Sequence, residues 1–210
     1  MSQAAMERMK RECTELVTSL WPGDPRPIVF GDGRMDEPPL MLIGEAPGQQ
    51  EALLGKPFVG KAGRNLTQML DTIALRREDN YISNVVKIRP TKRSPSGGLV
   101  NRPPDREEIA VFQPWLMREI AIVKPAALVT LGNVALHAFV PATKSIGQCH
   151  GRWQRVVACP EKGAALTLPL FALYHPASII YPRSLADVYR ADLEELARSL
   201  RLPSSRESDI

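Results

Sequence analysis

Residues 39–48 read PLMLIGEAPG. Four consecutive apolar side chains, Leu40 to Ile43, run without interruption into a glycine, an acidic residue and a turn. A strand with one wet face would alternate polar and apolar residues. An unbroken run this short, closed by turn formers, reads as a strand buried on both faces. Such a strand needs helices above and below it, so it sits inside a mostly parallel sheet.

The rest of the chain repeats the pattern. YISNVV (81–86), AALVTLG (126–132) and LFALYHP (170–176) are further strand candidates, rich in β-branched or aliphatic residues. RWQRVVA (152–158) adds an antiparallel strand. Helical spacing appears at Met6, Met9, Cys13, Leu16, Val17 and Leu20, and again at Ala62, Leu66, Met69, Leu70, Ile73 and Ala74. DREE opens a third helix with the pattern of a capping box, Asp105 with Glu108, and Pro114 should kink that helix or start another. NVALHAF and the Leu185–Leu200 face supply the remaining helices. Strands alternating with helices predict an α/β fold: a three-layer α/β/α domain with a central, mostly parallel four-stranded sheet. One domain is expected over residues 1–202, with a polar, disordered tail at 203–210.

Composition narrows the function. The chain has 210 residues with 44% apolar and 24% charged side chains, ordinary values for a soluble globular protein. No apolar run is long enough to span a bilayer, and MSQAAMERMKREC lacks the apolar core of a secretory signal. Cys13, Cys149 and Cys159 are too scattered for a disulfide framework, and no CxxC pair is present. A cytoplasmic protein with no membrane association is expected. Charge is concentrated: Lys87, Arg89, Lys92, Arg93, Arg102 and Arg106 face only Asp105 between residues 87 and 106, a local +5 in a chain of net charge +4. A basic, Pro- and Gly-rich loop of this kind is a footprint for polyanions.

Ligands of open parallel sheets bind at the carboxyl ends of the strands. The residues following the apolar runs are Gly44-Glu45, Asn84, Gly132-Asn133 and His175-Pro176. A carboxylate, a carboxamide and an imidazole therefore converge on one rim beside the GEAPG loop. Each type also has ordinary uses, as a helix cap, a turn former or a hydrogen-bonded rim residue. His137 and His150 show no partner in the sequence. The glycine motifs do not complete a phosphate loop: Gly55-Lys56 is followed by Pro57 and Gly60-Lys61 by Ala62, so the magnesium-binding hydroxyl is missing. GDGRMD does not complete a dinucleotide fingerprint.

GEAPGQQE, GKPFVGKAG, YISNVVKIRP, LGNVALHAF and HPASIIYPR, taken in this order, resemble the uracil-DNA glycosylase superfamily, closest to its family 4 branch. The resemblance runs from about Leu40 to about Arg198. It implies a monofunctional base-excision repair enzyme that flips uracil out of DNA and hydrolyses the N-glycosidic bond. It implies Glu45 and His175 as catalytic residues, one holding water and steadying positive charge on the sugar, the other donating to uracil O2. It implies Phe58 as a stacking platform, Asn84 as the reader of the base edge, Gly44 as part of the same pocket, and Glu51 as the wall against the thymine methyl, although Ala52 replaces the usual acidic neighbour. The segment Pro176–Arg183, with Ile179 and Arg183, would fill the hole left by the flipped base. With Lys87, Arg89, Lys92, Arg93 and Arg102 it would hold DNA. The protein is expected to act as a monomer.

Two departures follow from the same resemblance. Most of family 4 holds an iron–sulfur cluster with four cysteines, but Leu16, Ile88 and about Val111 stand where three of them belong, leaving Cys13. No metal or other cofactor is expected, and ordinary packing by Ile88 and Val111 would replace the cluster. The loop from Arg89 to Pro103 occupies the place where one branch, trapped covalently on DNA, carries a reactive histidine. No histidine lies between Asn84 and His137, so turnover by water is expected. The alternative is a non-catalytic or differently specific nucleic-acid binding module on the same fold.

Overall fold

The computed structural model describes residues 2–24, 26–158, 164–178 and 183–201. In chain order the elements are α1 (Ser2–Leu20), β1 (Asp32–Gly33), β2 (Leu40–Gly44), α2 (Gln49–Leu54), α3 (Lys61–Thr72), β3 (Tyr81–Asn84), β4 (Thr91–Arg93) and β5 (Leu99–Asn101). They continue with α4 (Arg106–Val123), β6 (Ala127–Leu131), α5 (Asn133–His137), α6 (Ile146–Cys149), β7 (Trp153–Ala158), β8 (Leu166–Leu173) and α7 (Arg183–Arg201). A short 3₁₀ turn, Arg77–Asp79, precedes β3. Cys159 and the tail 203–210 lie outside the described residues.

The four apolar runs form the parallel centre of the sheet, in the order β3-β2-β6-β8. Among the described residues the sheet nevertheless has six strands, not four, because β1 pairs antiparallel on the β3 edge and β7 antiparallel on the β8 edge. Strands buried on both faces read as apolar runs, whereas edge strands do not. β1 is two exposed residues with no hydrophobic signal at all, and β7 is the antiparallel strand that RWQRVVA announced. The basic loop contains its own small hairpin, β4 with β5.

Period-two geometry sends alternate strand residues into two separate cores. Met41, Ile43, Leu128, Leu170 and Ala172 join α1, α4, α5 and α6 on one face. Leu40, Leu42, Val129, Leu131, Phe171 and Leu173 join α3 and α7 on the other. The result is three layers. In α1, Met6, Met9, Cys13 and Val17 are buried, while Leu16 and Leu20 lie at the exposed margin of the same face.

The capping box forms as expected: Glu108 N–H donates to Asp105 Oδ1 at 2.9 Å, and Asp105 N–H to Glu108 Oε2 at 3.0 Å. Pro114 does not start a second helix, since α4 runs through it to Val123. A proline inside a helix costs ~3 kcal/mol. The buried face of Phe112, Trp115, Leu116 and Ile120 outweighs that loss.

Candidate active site

Register carries the strand ends to one rim. Gly44 pairs with Asn84 across β2 and β3, and Leu131 pairs with Leu173 across β6 and β8. Glu45, Asn84, Gly132 and His175 therefore leave the sheet together. A cavity of about 350 Å³ opens at this rim, and Phe58, Asn84, His175, Glu51, Lys61 and Asn101 are among the residues that line it.

Asn84 ends β3 and is 2% exposed. Its Oδ1 has no hydrogen-bond partner among the described residues. A buried amide oxygen left unpaired costs ~1–3 kcal/mol unless something supplies a donor, so the carboxamide is built to receive one. Gly44 lies directly beneath: a Cβ there would collide with both Asn84 Oδ1 and the Phe58 ring. The glycine is what lets the two approach each other.

Phe58 is 6% exposed, belongs to the α3–α7 core and faces the cavity, with its ring centroid 6.2 Å from that of His175. His175 follows β8. The Ala177 N–H donates to its Nδ1 at 3.2 Å. That bond assigns the proton to Nε2, leaving a neutral ring with one N–H to offer. Burial pushes the imidazole pKa below its ordinary value and so favours this neutral form. Glu45 is half-buried beside the cavity, where Ala46 provides the lining. Burial alone pushes its carboxyl pKa up.

The basic residues divide. Lys92 and Arg93 are exposed on β4. Arg89 donates from Nε to Asn101 Oδ1 at 2.7 Å, so this guanidinium is held at the cavity mouth by a residue that lines it. Lys87 is not available to DNA. It is fully buried, with Nζ 2.6 Å from Glu119 Oε2, and it also donates to Ser83 Oγ and the Asn84 carbonyl, each at 2.7 Å. An ammonium in the core survives only when paired and fully hydrogen-bonded, and this one is. Arg102 is part-exposed, and its guanidinium is engaged in a two-pronged bond to Glu108 at 2.7 and 2.8 Å and in bonds to the Thr91 and Pro103 carbonyls.

Glu51 lines the cavity, but its carboxylate is committed to backbone amides: Gly48 at 3.1 Å, Val59 at 3.0 Å and Gly60 at 2.7 Å. Asn133 accepts from Ile146 N–H at 2.8 Å and ties α5 to α6. His150, which showed no partner in the sequence, pairs through Nδ1 with Asp192 at 2.9 Å. Ile179 lies outside the described residues, and Arg183 opens α7. Sequence reasoning missed Lys61, Asn101, Arg77 and Asn65. Lys61 and Asn101 line the cavity, Arg77 binds the carbonyls of Pro57 and Phe58, and Asn65 donates to the Pro176 carbonyl at 3.2 Å. Periodicity carries no signal for such loop contacts.

The profile of the Uracil DNA glycosylase superfamily matches residues 30–197. The chain belongs to the uracil-DNA glycosylase superfamily. It is 35% identical over 161 residues to the Type-4 uracil-DNA glycosylase of Archaeoglobus fulgidus, covering 75% of this chain and 74% of that protein. Over 169 residues it is 34% identical to the protein of the same name from Pyrobaculum aerophilum, covering 79% of each. Over 173 residues it is 36% identical to that of Thermotoga maritima, covering 82% of this chain and 81% of the relative.

The iron–sulfur cluster that the resemblance to family 4 implies does not fit the residues present. Of the four positions, Cys13 alone has a thiol. It is fully buried in the apolar cluster beside α4, and one thiol cannot hold a cluster that needs four. Ile88 is fully buried in the same apolar cluster, Val111 packs against that cluster, and Leu16 is 37% exposed on α1. Side-chain packing fills the region.

Proposed function

We propose that this protein is a monofunctional uracil-DNA glycosylase of base-excision repair, which extrudes uracil from DNA and hydrolyses its N-glycosidic bond to leave an abasic site. The observation that carries the reading is a single cavity lined by Asn84, whose buried Oδ1 is unpartnered, together with Phe58 and the neutral ring of His175. The relatives' name, Type-4 uracil-DNA glycosylase, agrees with it.

Uracil offers N3–H between two carbonyls. A carboxamide accepts from N3–H and donates to O4, whereas cytosine would set a ring lone pair against Oδ1. Phe58 stacks on the base. As the glycosidic bond breaks, electrons pass to the ring and the sugar becomes cationic. The His175 N–H meets the charge growing on O2, and Glu45 as carboxylate steadies the sugar and holds the attacking water. The neutral state of His175 suits a donor to an anion that carries away no proton. The Gly48–Gly60 loops, held by Glu51, form the wall beside C5. Arg89, Lys92 and Arg93 contact phosphates, and Pro176–Arg183 occupies the vacated stack. Residues 1–202 act as one domain, as a monomer in the cytoplasm.

The test is an oligonucleotide with a single uracil, cleaved at the abasic site by alkali after incubation. Uracil release is expected from the native protein. Asn84→Asp should lose it, because the carboxylate repels O4. His175→Ala should slow the single-turnover rate by about a hundredfold or more with DNA binding retained. Excision by Asn84→Asp and His175→Ala within a fewfold of native would remove the rim residues from the mechanism.

A further inference from the structure

Phe58 has φ of +52°, in the left-handed region that a bulky side chain rarely occupies. Backbone strain of this kind persists only where the surroundings over-determine it, and it concentrates at functional sites. Here the surroundings are two opposite charges. The guanidinium of Arg77 donates from Nη2 to the Pro57 carbonyl at 2.6 Å and from Nη1 to the Phe58 carbonyl at 2.9 Å. On the other side of the same residue, Glu51 Oε1 accepts from the amides of Val59 at 3.0 Å and Gly60 at 2.7 Å. The peptide planes before and after Phe58 are thus pinned, carbonyls to the cation and amides to the anion. Gly63 closes the third side: a Cβ there would collide with the Phe58 carbonyl.

The placement of Arg77 gives the clamp a second consequence. Arg77 begins the 3₁₀ turn that leads into β3, and β3 ends at Asn84, seven residues after Arg77. Glu51 reaches back through Oε2 to Gly48 in the loop after β2. The clamp therefore ties the aromatic face of the cavity to the strand that carries the carboxamide and to the loop that carries Glu45.

We propose that Arg77 and Glu51 are positioning residues for the uracil platform: they hold Phe58 in its strained conformation so that its ring and the Asn84 carboxamide meet one base at the same time. This rests on the glycosylase reading above. Neither residue touches the base through its charged group. Both act through Phe58, so their effect must vanish when the ring is gone.

A double-mutant cycle between Arg77→Met and Phe58→Ala tests this, with free uracil as a product inhibitor and the uracil oligonucleotide as substrate. Arg77→Met is expected to weaken uracil inhibition about tenfold, a value at the low end for a base–aromatic stack. KM should rise, with kcat changed by less than about threefold, because stacking serves ground and transition states alike. In the Phe58→Ala background the same substitution should change uracil inhibition by less than about twofold. Arg77→Lys keeps the charge but not the fork, should fall between, and gives the same cycle if Arg77→Met does not fold. An equal loss in both backgrounds, or a lowered melting temperature with unchanged uracil inhibition, would overturn the proposal. Failure of the underlying reading looks different: Phe58→Ala alone would then leave uracil inhibition intact, or the native protein would release no uracil.

Discussion

Lys87 lies in the most basic stretch of the chain, yet its substitution should damage stability rather than DNA affinity. All three of its N–H donors are used inside the protein, on Glu119, Ser83 and the Asn84 carbonyl. Glu119, fully buried, also accepts from Gly31 N–H at 3.0 Å, Tyr81 Oη at 2.9 Å and Ser83 Oγ at 2.7 Å. Lys87→Met keeps much of the side-chain volume but leaves a buried carboxylate with only neutral donors. Removing one partner of a buried pair costs ~3–5 kcal/mol. At ~2–4 °C per kcal/mol for a chain of this size, the melting temperature should fall by about 6–20 °C. Glu119→Leu should cost more, because it orphans Lys87 and three further donors. Urea unfolding followed by tryptophan fluorescence gives both values, and DNA titrations at several salt concentrations give the slope of log K. A loss below about 1 kcal/mol together with a slope reduced by about 0.9 would mean that Lys87 reaches a phosphate, and the buried-network account would be wrong.

Lys92 and Arg93 are the opposite case. Replacing both by alanine should leave the melting temperature within about 1 °C, consistent with exposed sites, and reduce the salt slope by about 1.8 on duplex DNA; an unchanged slope would make β4 a solvated surface. Glu45→Gln should abolish most uracil release yet stabilise the protein at neutral pH. Burial raises the folded-state pKa of Glu45, so its contribution to stability is fully present below the unfolded pKa and is lost as pH rises through the folded value. The variant's advantage in melting temperature should therefore narrow toward acid pH. In the native enzyme the rate should climb with pH through an apparent pKa above the usual carboxylate range, and a pH-independent rate would remove Glu45 as the required carboxylate.

The sequence by itself determined the layered α/β class, the four central strands and the rim residues. Strands buried on both faces must be apolar throughout, and the chain direction of a parallel strand dictates that Glu45, Asn84 and His175 follow it on the same side. The capping box at Asp105 was legible for a similar reason, since its bonds join residues three apart. Charge gave no warning that Lys87 is buried, because a cation's sequence neighbours do not reveal whether a carboxylate from α4 will meet it. Glu119 lies 32 residues from Lys87, and only packing brings them together. The edge strand Asp32–Gly33 was invisible because its pairing uses backbone groups that every residue has. The clamp on Phe58 belongs to the tertiary structure for the same reason. Arg77 and Glu51 bind peptide groups, which carry no sequence signature, and the strain they hold exists only once the loop between α2 and α3 has folded against the turn before β3.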